Sequence, residues 1–279
     1  MAEINTWLQV NKFIPSRGSN GMLHRIKEIY MYREMLKNLV KRDLRTRYKG
    51  SALGFLWTFI NPLLQLVVYS FLFSTILRMN VEKYPMFLFV ALLPWVYLAT
   101  TTQVGANLII ANNNMVKKIY FPREILPISI AVSGFINLAL SLLVAMAALL
   151  VFKIPLTINL VALPIVMVIQ FFFTLGVTFI ISSINVYMRD IEHLWGIFVM
   201  AWFYITPIVY PMEMVPNAYQ KYFFLNPAAL MVSAYRDILY RGVFPNLLHL
   251  ISFFILSVII LGFGYYLFKR LEKDFAEVV

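Results

Sequence analysis

The sequence predicts an all-α membrane protein with six transmembrane helices, an N-terminal amphipathic interfacial helix, and re-entrant outer helices between spans five and six. Three observations predict it. Hydrophobic residues make up 61% of the 279-residue chain and charged residues 13%, which is more apolar surface than a soluble domain can hide. No Asp, Glu, Lys or Arg occurs over 53–77, 84–116, 125–152, 154–188 or 242–268. Three quarters of the 24 Lys and Arg fall on one side of the membrane if the N-terminus is cytoplasmic, the bias that orients spanning helices.

Each charge-free gap is long enough for one crossing, because a hydrocarbon core of about 30 Å needs about 20 helical residues. The stretch from His193 to Tyr210 supplies a shorter sixth. Both termini, the 112–124 loop and the Arg189 loop are then expected in the cytoplasm. The chain divides into a cytoplasmic lead-in with its interfacial helix over 1–50 and a six-helix transmembrane domain over 51–279. The polar first fifty residues hold no hydrophobic core of a cleavable signal, so the first span is expected to serve as its own insertion signal.

Within the lead-in, Leu23, Ile26, Ile29, Tyr30, Leu36, Leu39, Val40 and Leu44 recur at three- and four-residue steps with basic residues between them. That is the pattern of a helix lying on the inner membrane surface. A coiled coil is the alternative, but its seam is short and broken at Arg33. Arg42, Arg45, Arg47 and Lys49 end this segment as expected anchors in the lipid head-group zone. Ser51 marks the turn into the bilayer. Pro62, in the first span, is expected to kink the helix, with Asn61 and Pro62 facing the bundle.

Chemistry is constrained mainly by what is missing. There is no GxxxxGK[ST] phosphate loop and no constellation of nucleophile, base and oxyanion donors, so the chain is read as a non-enzyme. The chain has no cysteine, and His24, His193 and His249 are isolated, so no metal site is expected. The first four spans hold no ionisable relay of the kind that ion-coupled transporters use. Uncharged polar residues recur there instead, among them Gln65, Thr100, Gln103, Gln170 and Asn185. They suit either helix-to-helix hydrogen bonds or a sugar-lined passage. The positive charge sits beside spans, and nucleic-acid binding is not expected.

The outer segment after span five is cut by Pro207, Pro211, Pro216, Pro227 and Pro245 into pieces too short to span. Asn217–Leu225 and Ala228–Tyr240 read as two short helices joined at Asn226-Pro227, a re-entrant hairpin or a surface lid.

The stretches RYKGSALGFLWTFINPLLQLVVYSFLF, NNNMVKKIYFPREILP, RDIEHLWGIFVMAWFYITPIVYP, NPAALMVSAYRDILYRG and GYYLFKRLEKDFAE, in that order, resemble the membrane subunit of bacterial ABC exporters of lipid-linked polysaccharides: O-antigen, capsule and wall teichoic acid. The resemblance implies a homodimer in the plasma membrane with two copies of an ATP-binding subunit, which binds the ATP and Mg; this chain itself holds no cofactor. The substrate it implies is a glycopolymer on an undecaprenyl diphosphate carrier, and the sequence does not choose among the three polymers. The family's coupling helix falls on Asn113 to Pro122. Contact with the ATP-binding subunit is expected from Lys117, Lys118, Ile119, Tyr120, Phe121, Pro122 and Arg123, with the aromatics exposed as anchors. The outer gate falls on Pro216 to Arg241, with Pro216, Asn226, Pro227, Tyr235 and Arg236 as its residues. Trp202, Phe203 and Tyr204 are expected to face the polymer and stack on sugar rings. Trp95 and Tyr97 suit that role or an interfacial aromatic belt. An ion-coupled transporter, a scramblase and a membrane scaffold for a cytoplasmic enzyme remain as other readings.

Overall fold

The computed structural model describes residues 22–46, 53–72 and 81–278, and all its regular elements are helical. Helices α1 (Met22–Met31) and α2 (Arg33–Thr46) meet at Tyr32, where the amphipathic period falters. After a turn in which Gly54 takes φ +47°, α3 runs from Trp57 to Ser70. The 84–116 gap does not form one helix. It gives α4 (Tyr84–Ala106) and the short α5 (Leu108–Ala111) and α6 (Asn113–Lys118), stepped at Asn107 and Asn112. These are followed by α7 (Ile125–Val151), α8 (Leu163–Tyr187) and α9 (Asp190–Ile205). The outer segment forms α10 (Asn217–Phe223), α11 (Pro227–Arg236) and a π-helical turn over Asp237–Arg241. The chain ends with α12 (Leu247–Leu271) and α13 (Phe275–Val278).

Four stretches are long and apolar enough to cross a membrane: Tyr84–Ala106, Ile125–Val151, Ile158–Tyr187 and Leu247–Val278. The remaining two expected spans hold the shorter helices α3 and α9. The 16 residues of α9 cover about 24 Å at 1.5 Å per residue. The helix stops where Thr206 turns extended before Pro207, whose ring disfavours helix in the residue ahead of it.

Helix α4 is apolar on every side, and it is accordingly the buried centre. It packs against α3, α7, α8, α9 and α11. The more exposed α12 lies along α8, and the two backbones touch: a Cβ on Gly176 would stand 2.6 Å from the Leu261 nitrogen, and one on Gly264 would collide with the Gly176 carbonyl. Small residues at such a crossing are what brings two spans together where water is absent.

Long-range contacts gather at two ends. At the basal end, α2 reaches the loop after α4 through Arg42 to Asn112 (2.9 Å), and Tyr187 donates to Leu271 O (2.9 Å). At the distal end, Lys83 donates to Lys153 O (3.2 Å), and Thr157 and Asn159 donate to Gly242 O (3.0 and 2.7 Å). Both described chain ends lie at the basal end.

Three expectations are corrected. Pro62 is buried as expected, but Asn61 is exposed on this single chain, because its side chain points away from α4. Trp95 and Tyr97 form no interfacial belt. Both are buried in the core cluster that surrounds this part of α4, and the Tyr97 hydroxyl donates to Ala131 O (3.2 Å). Phe121 is not exposed. It is 5% accessible and packs in a second apolar cluster with Ile125, Phe268 and Phe275.

Candidate functional site

The expected site residues that the structure describes fall in three places, one at each end and one between. The basal place is the 113–124 segment. Lys117, Lys118, Ile119 and Tyr120 are exposed, with Tyr120 at 79%. Phe121 and Pro122 turn inward, so the chain alternates from surface to core within two residues. Tyr32 of the α1–α2 junction donates to Tyr120 O (3.4 Å). Partial burial, with Glu28 and Tyr120 close by, holds this phenol above the ordinary tyrosine range and keeps it a donor. A cleft of about 210 Å³ opens beside Tyr120 between Glu28, Arg123, Glu124, Lys269 and Lys273.

The buried side of this segment is ionic. Lys269, in the last turn of α12, pairs with Glu124 and with Glu272 (2.7 Å), and Arg123 donates to Glu272 O. Of these, sequence reasoning named Arg123 and missed Glu124, Lys269 and Glu272. The signal available was a Lys-x-x-Glu step at the end of a span and an acidic residue opening another, and both read as membrane-flanking charge. Of the expected head-group residues, Arg42 bonds Asn112 and Arg45 is exposed, while Arg47 and Lys49 lie outside the described residues.

The middle place is a groove of about 280 Å³ between α3, α4 and α9. Gln65, Thr100 and Gln103 supply amides and a hydroxyl, Tyr204 supplies exposed ring surface, and the buried Trp95 and Phe203 lie behind it. Tyr204 is 61% exposed, whereas Phe203 is buried against Trp95 at 5.7 Å between centroids. Trp202 plays another part. Its indole donates to Asn226 Oδ1 (2.8 Å) and its ring meets Trp95 edge-on, which ties α9 to the distal helices. A surface with an exposed aromatic face and uncharged hydrogen-bonding groups suits polyhydroxylated ligands and holds no fixed charge to trap an ion.

The distal place is built on Asn226 and Arg236. Asn226 caps α11 by accepting from Ala228 N (3.0 Å) and donates to Thr206 Oγ1 (3.1 Å). Asn at the cap with Pro next is a strong helix start. From it α11 enters the core: Ala228 through Val232 and Ala234 through Arg236 are buried. By contrast α10, which begins after Pro216, buries no residue. Tyr235 donates to Gln170 Oε1 (2.7 Å), and Gln170 passes the chain on to Pro94 O (2.7 Å). Arg236 donates to Phe87 O (3.2 Å), Pro207 O and Ile208 O, and its guanidinium stacks 3.6 Å over the Phe87 ring. Asn226 and Arg236 therefore meet consecutive residues at the end of α9, Thr206 and Pro207, and Tyr235 reaches α8 and α4 through Gln170; Pro227 opens α11, and Pro216 stays outside these contacts. Among the described residues no group of histidines and acids is suited to a metal.

The family described as ABC-2 type transporter matches residues 34–240. The chain belongs to that family. The match runs from α2 to the π-helical turn, so this ABC-2 transporter chain keeps its basal segment, groove and α11 within the family's common part. The chain is 35% identical over 260 residues to the O-antigen export system permease protein RfbA of Myxococcus xanthus, covering 92% of this chain and all of that one. With the protein of the same name from Klebsiella pneumoniae the identity is 31%, over 88% of this chain and 95% of the other. The polysialic acid transport protein KpsM of Escherichia coli is 23% identical over 82% and 90%.

Proposed function

We propose that the chain is the membrane subunit of an ATP-driven exporter that moves a lipid-linked polysaccharide across the bacterial plasma membrane. The observation that carries this reading is the set of relatives: those named above are polysaccharide export or transport proteins, matched over most of their length. The groove supports it, since its exposed ring and amides can hold sugars of varied sequence by stacking and neutral hydrogen bonds. In this reading the chain forms a homodimer, each copy bound at its basal end to an ATP-binding subunit through Lys117, Lys118, Ile119 and Tyr120. Six crossings are counted by including α3 and α9, both termini are cytoplasmic, and α10 with α11 forms a re-entrant outer gate. The carrier is an undecaprenyl diphosphate, steered by the basic residues that end α2. ATP and Mg are bound by the partner alone.

The test is reconstitution of the chain and its ATP-binding subunit in vesicles with lipid-linked polysaccharide extracted from the source cells. ATP-dependent appearance of polymer on the far side is expected. Transport driven by an ion gradient without ATP would replace this reading with a secondary transporter, and an assembled complex that moves no polymer would leave a scaffold.

A further inference from the structure

We infer that Arg123, Glu124, Lys269 and Glu272 form a clasp that couples the basal docking segment to the last span, so that displacement of residues 113–122 moves α12 directly. This rests on the reading of that segment as the contact with the ATP-binding subunit. Lys269 and Glu272 lie beyond the residues that the family match covers.

The segment has three ways to pass a movement on. Toward α4 it is joined through α5 and α6, which are stepped at Asn107 and Asn112, where the backbone leaves helical geometry. Two such steps bend more readily than a continuous helix. Toward α7 it is joined by Pro122, and Glu124 forms the N-cap without any side-chain cap bond. Toward α12 the joint is different in kind. Glu124 is 1% exposed and faces Lys269, whose ammonium also holds Glu272, while Arg123 binds the Glu272 carbonyl. Phe121, Phe268 and Phe275 pack on one side of these charges, with Phe268 and Phe275 edge-on at 5.5 Å, while the cleft beside Tyr120 leaves Lys269 and Glu272 partly open. A buried pair of this kind adds little net stability over apolar replacements, but separating its partners is costly because each leaves an uncompensated charge. The joint therefore resists being pulled apart, which is the property a mechanical link needs. Through Gly264 and Gly176 the same span is in backbone contact with α8, so motion of α12 is felt within the bundle.

Lys269 is a positioning residue in this account. The test uses the full chain with its ATP-binding subunit in vesicles and extracted lipid-linked polysaccharide, comparing Lys269→Arg with Lys269→Met. Polymer moved per ATP hydrolysed is the readout, because a docking defect or a loss of folded protein scales both quantities together. Lys269→Met is expected to retain the ATP-binding subunit on co-purification and to lose polymer per ATP by about threefold to tenfold, the size of coupling changes along such networks. Lys269→Arg should remain near the wild-type ratio. An unchanged ratio in Lys269→Met overturns the clasp, and so does loss of the ATP-binding subunit from that variant. Should Lys269→Met not accumulate, the triple variant Glu124→Gln, Lys269→Met, Glu272→Gln keeps the shapes without the charges. A lowered ratio there supports the inference, whereas a normal ratio, or failure of this variant also to accumulate, rejects it. A wild-type chain that never binds the ATP-binding subunit would instead remove the functional reading itself.

Discussion

Tyr120 and Phe121 are adjacent and opposite in consequence, and separate substitutions resolve them. Tyr120 presents its ring to solvent, so Tyr120→Ala should leave the melting temperature unchanged and weaken binding of the ATP-binding subunit by about 2 kcal/mol if it is a central anchor. Binding in detergent, measured by surface-immobilised titration, checks this. Phe121 is enclosed by Ile125, Phe268 and Phe275, and Phe121→Ala should cost about 3–5 kcal/mol of stability, as other buried aromatic truncations do. That loss would be read as a lower unfolding temperature with affinity for the partner retained by the folded fraction. At the distal joint, Arg236 bridges the carbonyls of Pro207 and Ile208 while stacking on Phe87. Lysine has neither the planar fork nor the stacking face. Arg236→Lys should therefore loosen the α9–α11 junction, seen as faster proteolysis between Thr206 and Pro216, and lower export despite the conserved charge.

Among the elements, α8 and α12 depend most on a single packing detail. With no Cβ at Gly264, the two backbones meet; Gly264→Leu inserts a side chain where the Gly176 carbonyl already lies. Separating these helices should cost about 1–3 kcal/mol, the usual range for overpacking, read as a lower unfolding temperature in detergent. Helix α2 behaves differently, because Leu39 and Val40 pack inward while its basic residues stay on the exposed face. Each basic residue near an anionic surface is worth about 1 kcal/mol, so replacing Arg42, Arg45, Arg47 and Lys49 together by glutamine should impair export far more than any single change. Arg42→Gln alone carries an additional effect through its bond to Asn112 (2.9 Å). Normal insertion with normal export in the fourfold variant would show that these residues set topology and do not steer the carrier.

At the scale of the whole molecule, the groove is open on one side. Leu64, Val67 and Val68 of α3 and Ile197, Met200 and Tyr204 of α9 stay exposed along its flanks, and a second copy placed against them would close it into a passage. The two helices that flank it are the short ones, which leaves their apolar faces unpartnered within one chain. The absence of native cysteine makes this testable without background. Val68→Cys and Met200→Cys are expected to give disulfide-linked dimers in nanodiscs, whereas Val151→Cys, exposed on α7 away from the groove, should not. Transport by a strictly monomeric particle would defeat the dimer.

The sequence by itself determined the membrane environment, the helical class, the short helices after Pro216 and Pro227, and the family. All of these follow from local composition, periodicity and proline placement, which act within a few turns of chain. That the single expected interfacial helix divides into α1 and α2 came from the structure. The site was legible only in part. Exposed Tyr120, capping Asn226 and the polar residues of the groove stood out because they interrupt an apolar or a basic pattern. What only the tertiary structure decided was direction and partnership: that Phe121, Trp95 and Tyr97 point inward, that Asn61 points outward, and that Lys269 meets Glu124 across 145 positions of chain. An amino-acid type states how much a side chain gains from leaving water or from finding a countercharge. Which neighbour supplies that gain depends on how distant helices cross, and here the crossing is set by backbone contact at Gly176 and Gly264 and by the burial of α4.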